Sequence, residues 1–176
     1  MNPLLWAKAA QEAATVLGEA FPPAANYFGD NSHEYRIPLK RLHEDTAQRT
    51  GTIPPHARFL LSSHDTMAYF AAAYHLEIRS MASAAGEASA KPSEDLASWI
   101  SSHNIRLLFR EQLADLQTIR QIARPLLLSS DPQIFTLSLA SPGTRFAGMS
   151  SELEVDRFLP ACSYNVDTIL ARLELR

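Results

Sequence analysis

The residues with the clearest chemical potential form the run Ser62-Ser63-His64-Asp65, which directly follows a short apolar segment. Serine, histidine and aspartate are the side-chain types of a hydrolytic triad. A triad requires these groups to be hydrogen-bonded in series, whereas adjacent side chains point in different directions. The sequence also lacks a nucleophile elbow, a phosphate-binding glycine loop and an HExxH pair. We therefore expect no enzyme activity, and interpret His64 either as a metal ligand or as a structural residue that caps the following helix.

Four short apolar runs predict buried β-strands, and helical patterns separate them. The predicted strands are residues 58–62, 76–78, 107–109 and 133–139. The predicted helices between and after them are residues 67–74, 94–102, 113–123 (closed by Pro125) and 160–173. Strands that alternate with helices indicate a parallel sheet covered by helices on both faces. Ligands of such sheets bind beyond the carboxyl ends of the strands, here residues 62–65, 80–81, 110–111 and 140–143.

The first part of the chain is predicted to be helical. Asn2 followed by Pro3 is typical of a helix start, and Gly18 with the Pro22-Pro23 pair ends this helix. A second helix is expected over residues 24–50, where the polar cluster at 29–32 and Pro38 are candidates for interruptions. The predicted fold is therefore α/β. A roughly four-stranded parallel sheet with flanking helices (residues 56–176) follows a long linker helix region (residues 1–55).

Composition excludes several classes of function. The 176 residues carry a formal net charge of −3. The composition therefore shows no excess of basic residues of the kind that indicates nucleic-acid binding. A single cysteine, Cys162, excludes an intrachain disulfide and a thiolate cluster for zinc. The first residues contain neither the basic nor the apolar region of a signal peptide, and no stretch is apolar over the length needed to span a bilayer.

Four stretches of the sequence resemble the solute-binding proteins of zinc and manganese ABC importers. The most informative one runs from Phe59 to Glu77, where a His-Asp pair ends a strand and opens an aromatic helix. The others are residues 87–89, 102–111 and 164–169. The resemblance implies two α/β lobes joined by a long helix, with the metal in the cleft between them. It also implies that histidine nitrogens and carboxylate oxygens hold the metal, and both donor types suit zinc and manganese.

The resemblance implies one metal ligand in this chain, His64. Glu111 and Asp65 are candidates to orient a metal ligand by hydrogen bonding to it without contacting the metal themselves. Asp65 is alternatively a cap of the next helix. The family's aspartate ligand in the fourth strand–loop unit corresponds to Leu137, a lost ligand position, and no Asp or Glu lies between Pro132 and Met149. Zinc sites use three or four protein donors. We therefore expect this chain alone to bind zinc or manganese weakly or not at all.

The residues Asn2–Trp6 resemble the sequence that follows the family's Asp-Pro-His-x-Trp segment. The resemblance thus implies a truncated chain, the C-terminal lobe with its linker helix. The implied function is that of the metal-binding component of an ABC importer, with the permease as partner and a periplasmic or lipid-anchored extracellular location. Self-association through the exposed cleft face is also expected. The alternative is a fragment that binds no metal, or a protein-interaction module that retains the fold.

Overall fold

The structure, a computed structural model, describes residues 2–81, 94–111, 116–127, 133–137 and 158–173. These residues contain six α-helices and four β-strands, apart from short 3-10 turns. The helices are α1 Pro3–Ala20, α2 Ala25–Gly51, α3 Ala68–Ala73, α4 Glu94–Ser102, α5 Leu116–Leu126 and α6 Phe158–Leu173. The strands are β1 Phe59–Ser62, β2 Glu77–Ser80, β3 Leu107–Glu111 and β4 Gln133–Leu137. The alternation of strands and helices that the sequence predicts is confirmed.

The residues Asn2–Gly51 form one compact unit, and the chain from Thr52 onward forms the core of another. The first unit is a hairpin of α1 and α2. Its start is as predicted, because the Asn2 side chain accepts hydrogen bonds from the backbone N–H groups of Leu4 and Leu5. The helix α2 continues through Pro38. A proline inside a helix removes one backbone hydrogen bond, and the rest of this 27-residue helix is retained.

The second unit is built on a parallel sheet with the strand order β2-β1-β3-β4. Ser62 of β1 pairs with Ser80 of β2 on one side and with Phe109 of β3 on the other. Along β3 and β4 the pairing runs from Leu107 with Gln133 to Glu111 with Leu137. The predicted parallel sheet is therefore confirmed, with β1 and β3 as its central strands.

Helices cover both faces of this sheet, so its strands carry apolar side chains on each side. On one face, strand residues pack with α3 and α6; the core members from these elements are Leu60, Phe109, Leu137, Phe70, Ala71, Val166, Ile169, Leu170 and Leu173. On the other face, strand residues pack with α4 and α5; the members are Leu61, Leu108, Leu96, Trp99, Ile100, Ile119, Ile122 and Ala123. Because both faces are buried, the position of the strands is fixed from both sides.

The predicted end of α5 is wrong, and several other predicted boundaries differ from the structure by one or two residues. The helix α5 does not close at Ala123 but includes Pro125 and ends at Leu126. Pro125 lies in the last turn, where the loss of its N–H affects only the end of the helix. The backbone N–H of Leu127 still donates to the carbonyl of Ala123, at 2.9 Å. A proline near a helix end is therefore compatible with one more turn.

Two neighbouring aromatic residues of α3 test the core. Phe70 is 1% exposed and Tyr69 is 68% exposed. We expect Phe70→Ala to lower the free energy of unfolding of the sheet-containing unit by about 3–5 kcal/mol, because it leaves a cavity in the core. The matched control Tyr69→Ala should change it by less than about 0.5 kcal/mol. Urea unfolding followed by circular dichroism measures both values, and equal effects of the two changes would contradict the packing of α3.

Candidate functional site

The order of the strands creates a point at which the loops after two neighbouring strands diverge. The chain leaves β1 toward β2 at one edge, and it later enters β3 on the other side of β1. The carboxyl ends of β1 and β3 are therefore neighbours whose connections lead to opposite sides of the sheet. In open α/β sheets, ligands bind in the crevice at such a point. The residues that follow β1 and end β3 are His64 and Glu111.

Hydrogen bonds from both neighbouring strands fix the backbone at the end of β1. The N–H of Ser63 donates to the carbonyl of Phe109 in β3, at 2.8 Å, and the N–H of Met81 after β2 donates to the carbonyl of Ser62, at 2.9 Å. The buried hydroxyl of Ser62 donates to the backbone carbonyl of His64, at 2.6 Å. The backbone of His64 is thus fixed in position relative to the three strands.

His64 leaves the sheet in an extended conformation, with φ −135° and ψ 168°. It occupies the N-cap position of the short 3-10 turn Asp65–Met67, but its side chain makes no capping hydrogen bond. The side chain is half-buried. The interpretation of His64 as a helix cap is therefore not supported. The imidazole lies at the carboxyl edge of the sheet and does not cap the turn that follows.

The two carboxylate candidates lie at the same edge. Glu111 ends β3 two residues beyond Phe109, just as His64 lies two residues beyond Ser62, the register partner of Phe109. The register thus brings the backbones of His64 and Glu111 to the same level of neighbouring strands; the side chain of Glu111 lies outside the described part of the structure. Asp65 is exposed and belongs to the first turn after His64 rather than to the cap position.

Leu137 lies at the carboxyl end of β4 as the register partner of Glu111. Its side chain is 2% exposed and belongs to the core on the α3 and α6 face, together with Phe109 and Val166. A leucine side chain offers no donor atom to a cation. At this position the chain therefore contributes apolar contacts to the core and no metal ligand.

The described ranges contain no group of three or more His, Cys, Asp or Glu residues that could hold a metal ion. The stretch 87–89, which resembles the family, and the stretch 140–143, which follows the fourth predicted strand, lie outside these ranges. Likewise, no helix in the described part of the chain has the length and apolarity that crossing a bilayer requires.

The role of Ser62 could not be recognised from the sequence. The sequence places this residue at the end of a predicted strand and among the residues at the carboxyl edge of the sheet. In the structure its hydroxyl donates a hydrogen bond to the backbone carbonyl of His64, the candidate ligand residue. A serine directly before a turn is a signal for such a bond, because its hydroxyl can bond to the backbone two residues further along the chain. The sequence alone leaves open which of Ser62 and Ser63 makes it.

Comparison with known proteins identifies what the chain is similar to. Residues 1–171 match the family described as "ZnuA: Zinc-uptake complex component A periplasmic". The chain is 24% identical to the zinc-binding protein TroA of Treponema pallidum (strain Nichols), over 96% of its own length and 54% of that protein. It is also 24% identical to the manganese-binding lipoprotein MntA of Bacillus subtilis (strain 168), over 67% of its own length and 39% of that protein. The chain thus spans about half the length of the curated relatives it matches.

Solved structures show the same fold. The periplasmic zinc-binding protein TroA from Treponema pallidum superposes with a TM-score of 0.78 at 24% identity, covering 98% of this chain and 61% of that one. The laminin-binding protein Lmb of Streptococcus agalactiae, described as having adhesin and metal-transporting activity, gives a TM-score of 0.76 at 18% identity, covering 98% and 62%. From this fold and the match over residues 1–171, we conclude that the chain belongs to the ZnuA family of zinc-uptake components.

Proposed function

We propose that the chain captures zinc or manganese for an ABC importer, with His64 as the metal ligand that it contributes. The observation that carries the proposal is the position of His64 within a fold of this family. The residue leaves the end of β1 at the crevice between β1 and β3, and its half-buried imidazole is not used to cap the next turn. Binding is reversible and involves no chemical conversion of the ion.

One imidazole does not make a tight zinc site, since protein sites use three or four donors. The further ligands come from outside the described residues, in the undescribed segments of this chain or in another part of a longer protein. Histidine nitrogens with carboxylate oxygens would suit zinc and manganese alike. Glu111 and Asp65 fit the task of orienting a ligand, because carboxylates commonly accept a hydrogen bond from the far nitrogen of a ligand histidine.

The partner and the location follow the same reasoning. A binding component of an importer delivers its ion to the permease in the membrane. The family is described as periplasmic, and the relative MntA is a lipoprotein. We therefore infer that the working protein acts outside the cytoplasmic membrane, either free in the periplasm or attached by a lipid anchor. The residues at the carboxyl edge of the sheet, with His64 among them, are the surface that offers the ion.

The burial of Leu137 favours a second candidate function. Because this position serves the core, the fourth strand supplies no carboxylate at its end. The chain would then be a degenerate lobe, or a protein-interaction module, that retains the fold without holding a metal. The two functions differ in a measurable property, the affinity of the chain for zinc and manganese.

Two histidines at opposite ends of β1 provide the test of the metal ligand. His64 follows β1, whereas the exposed His56 precedes it in the turn Pro55–Ala57. We expect calorimetric titration of the metal-stripped chain to give weak zinc or manganese binding, whose affinity His64→Ala lowers by at least about tenfold, because even changes to residues that only orient metal ligands cost roughly 10–100-fold. His56→Ala should leave the affinity unchanged.

The outcomes separate the two functions. No measurable binding of either metal to the unaltered chain would contradict metal capture by this chain and favour the interaction module. Binding that His64→Ala leaves intact, or that His56→Ala weakens equally, would show that the metal is held elsewhere.

The variant Leu137→Asp tests the lost ligand position. In the metal-free chain it should lower the free energy of unfolding by about 2–5 kcal/mol, because it removes a buried leucine from the core and introduces a charge there. Added zinc should raise the thermal unfolding temperature of Leu137→Asp more than that of the unaltered chain, because a ligand that binds the folded state stabilises it. Leu137→Asn is the control without the charge. Equal zinc shifts in all three proteins would contradict the assignment of Leu137.

A further inference from the structure

The backbone carbonyl of His64 is bonded to a side chain of the preceding strand. The hydroxyl of Ser62 donates to it at 2.6 Å, since a hydroxyl can donate a hydrogen bond and a carbonyl can only accept one. The bond spans two residues, from the last residue of β1 to the residue that leaves the sheet. Ser62 is 1% exposed, so bulk water does not compete for its hydroxyl.

This bond restrains the peptide group that follows His64. Because a peptide group is planar, holding its carbonyl oxygen also holds the N–H of Asp65 and sets the ψ angle of His64, which is 168°. On the other side of His64, the N–H of Ser63 donates to the carbonyl of Phe109 in β3. The backbone of His64 therefore lies between two restrained points, and these determine the direction in which its side chain leaves the chain.

Ser62 is itself held by both neighbouring strands. Its carbonyl accepts a hydrogen bond from the N–H of Met81 after β2, at 2.9 Å. In the register of the sheet it pairs with Ser80 on one side and with Phe109 on the other. The hydroxyl of Ser62 thus bonds His64 to a part of the sheet whose position is fixed.

We propose that Ser62 is a positioning residue for metal binding, whose hydroxyl fixes the backbone of His64 and thereby raises the affinity for zinc or manganese. This role rests on the proposed function of His64 as a metal ligand. The groups that orient a ligand histidine commonly bond to the ring nitrogen that does not contact the metal. Ser62 acts instead on the backbone. A ligand that is held in place before binding loses less freedom when the ion arrives, which favours binding.

A bond of the same kind elsewhere in the chain provides a matched control. The hydroxyl of Thr46 donates to the carbonyl of Leu42 at 2.6 Å, and Thr46 is 0% exposed. Both residues belong to α2, which is not part of the candidate site. Thr46→Val therefore removes a buried hydroxyl and a bond of equal length without changing the backbone of His64.

Calorimetric titration of the metal-stripped 176-residue chain with zinc and with manganese measures the effect. We expect Ser62→Ala to lower the affinity about two- to tenfold, the change that corresponds to the net contribution of one hydrogen bond. Ser62→Thr, which retains a hydroxyl, should keep the affinity, and so should Thr46→Val. Circular dichroism checks that each variant is folded.

Nuclear magnetic resonance relaxation of the backbone amides tests the positioning without any metal. In metal-free Ser62→Ala, the order parameter of the Asp65 N–H should fall, because the peptide group that it shares with the His64 carbonyl is released. The order parameter of the Ser63 N–H should stay the same, because its bond to Phe109 is retained.

The results separate the failure of the positioning role from the failure of the proposed function. If the unaltered chain binds neither metal, or binds one in a way that His64→Ala leaves unchanged, the proposed function fails and the positioning role with it. If binding depends on His64 but Ser62→Ala loses no more affinity than Thr46→Val, only the positioning role is overturned. An unchanged order parameter of Asp65 in Ser62→Ala overturns it as well.

Discussion

The strand β1 is hydrogen-bonded in parallel to β2 on one side and to β3 on the other, and Ser62 is the residue at which both pairings meet. This arrangement requires helices on both faces, because a sheet with apolar side chains on each side must be covered twice. It also brings the carboxyl ends of the strands to one edge. The two halves of the core and the candidate site therefore depend on the same central strand.

The strand β1 fixes the backbone of the candidate site. The last residue of β1 holds the carbonyl of His64 through its hydroxyl, and the backbone on either side of it is bonded to β2 and β3. A ligand on a fixed backbone loses little freedom when it binds an ion, which favours binding. At the end of the outer strand β4, Leu137 is part of the core, so the carboxyl edge of the sheet offers an imidazole but no carboxylate from β4.

Much of the fold could be predicted because apolar runs separated by helical patterns indicate a parallel α/β sheet, and His64 stood out because its residue type follows such a run. The continuation of α5 through Pro125 could not be predicted, since it depends on how the last turn packs. The bond from Ser62 required the strand register.

The most direct test of the metal-site proposal is a crystal of the zinc-soaked chain, measured by anomalous diffraction at the zinc edge. The proposal predicts an anomalous peak at the carboxyl end of β1, about 2.0–2.1 Å from a ring nitrogen of His64, the distance typical of zinc bound to histidine. Zinc bound only at His56 or at another histidine, or no zinc at this edge of the sheet, would contradict it.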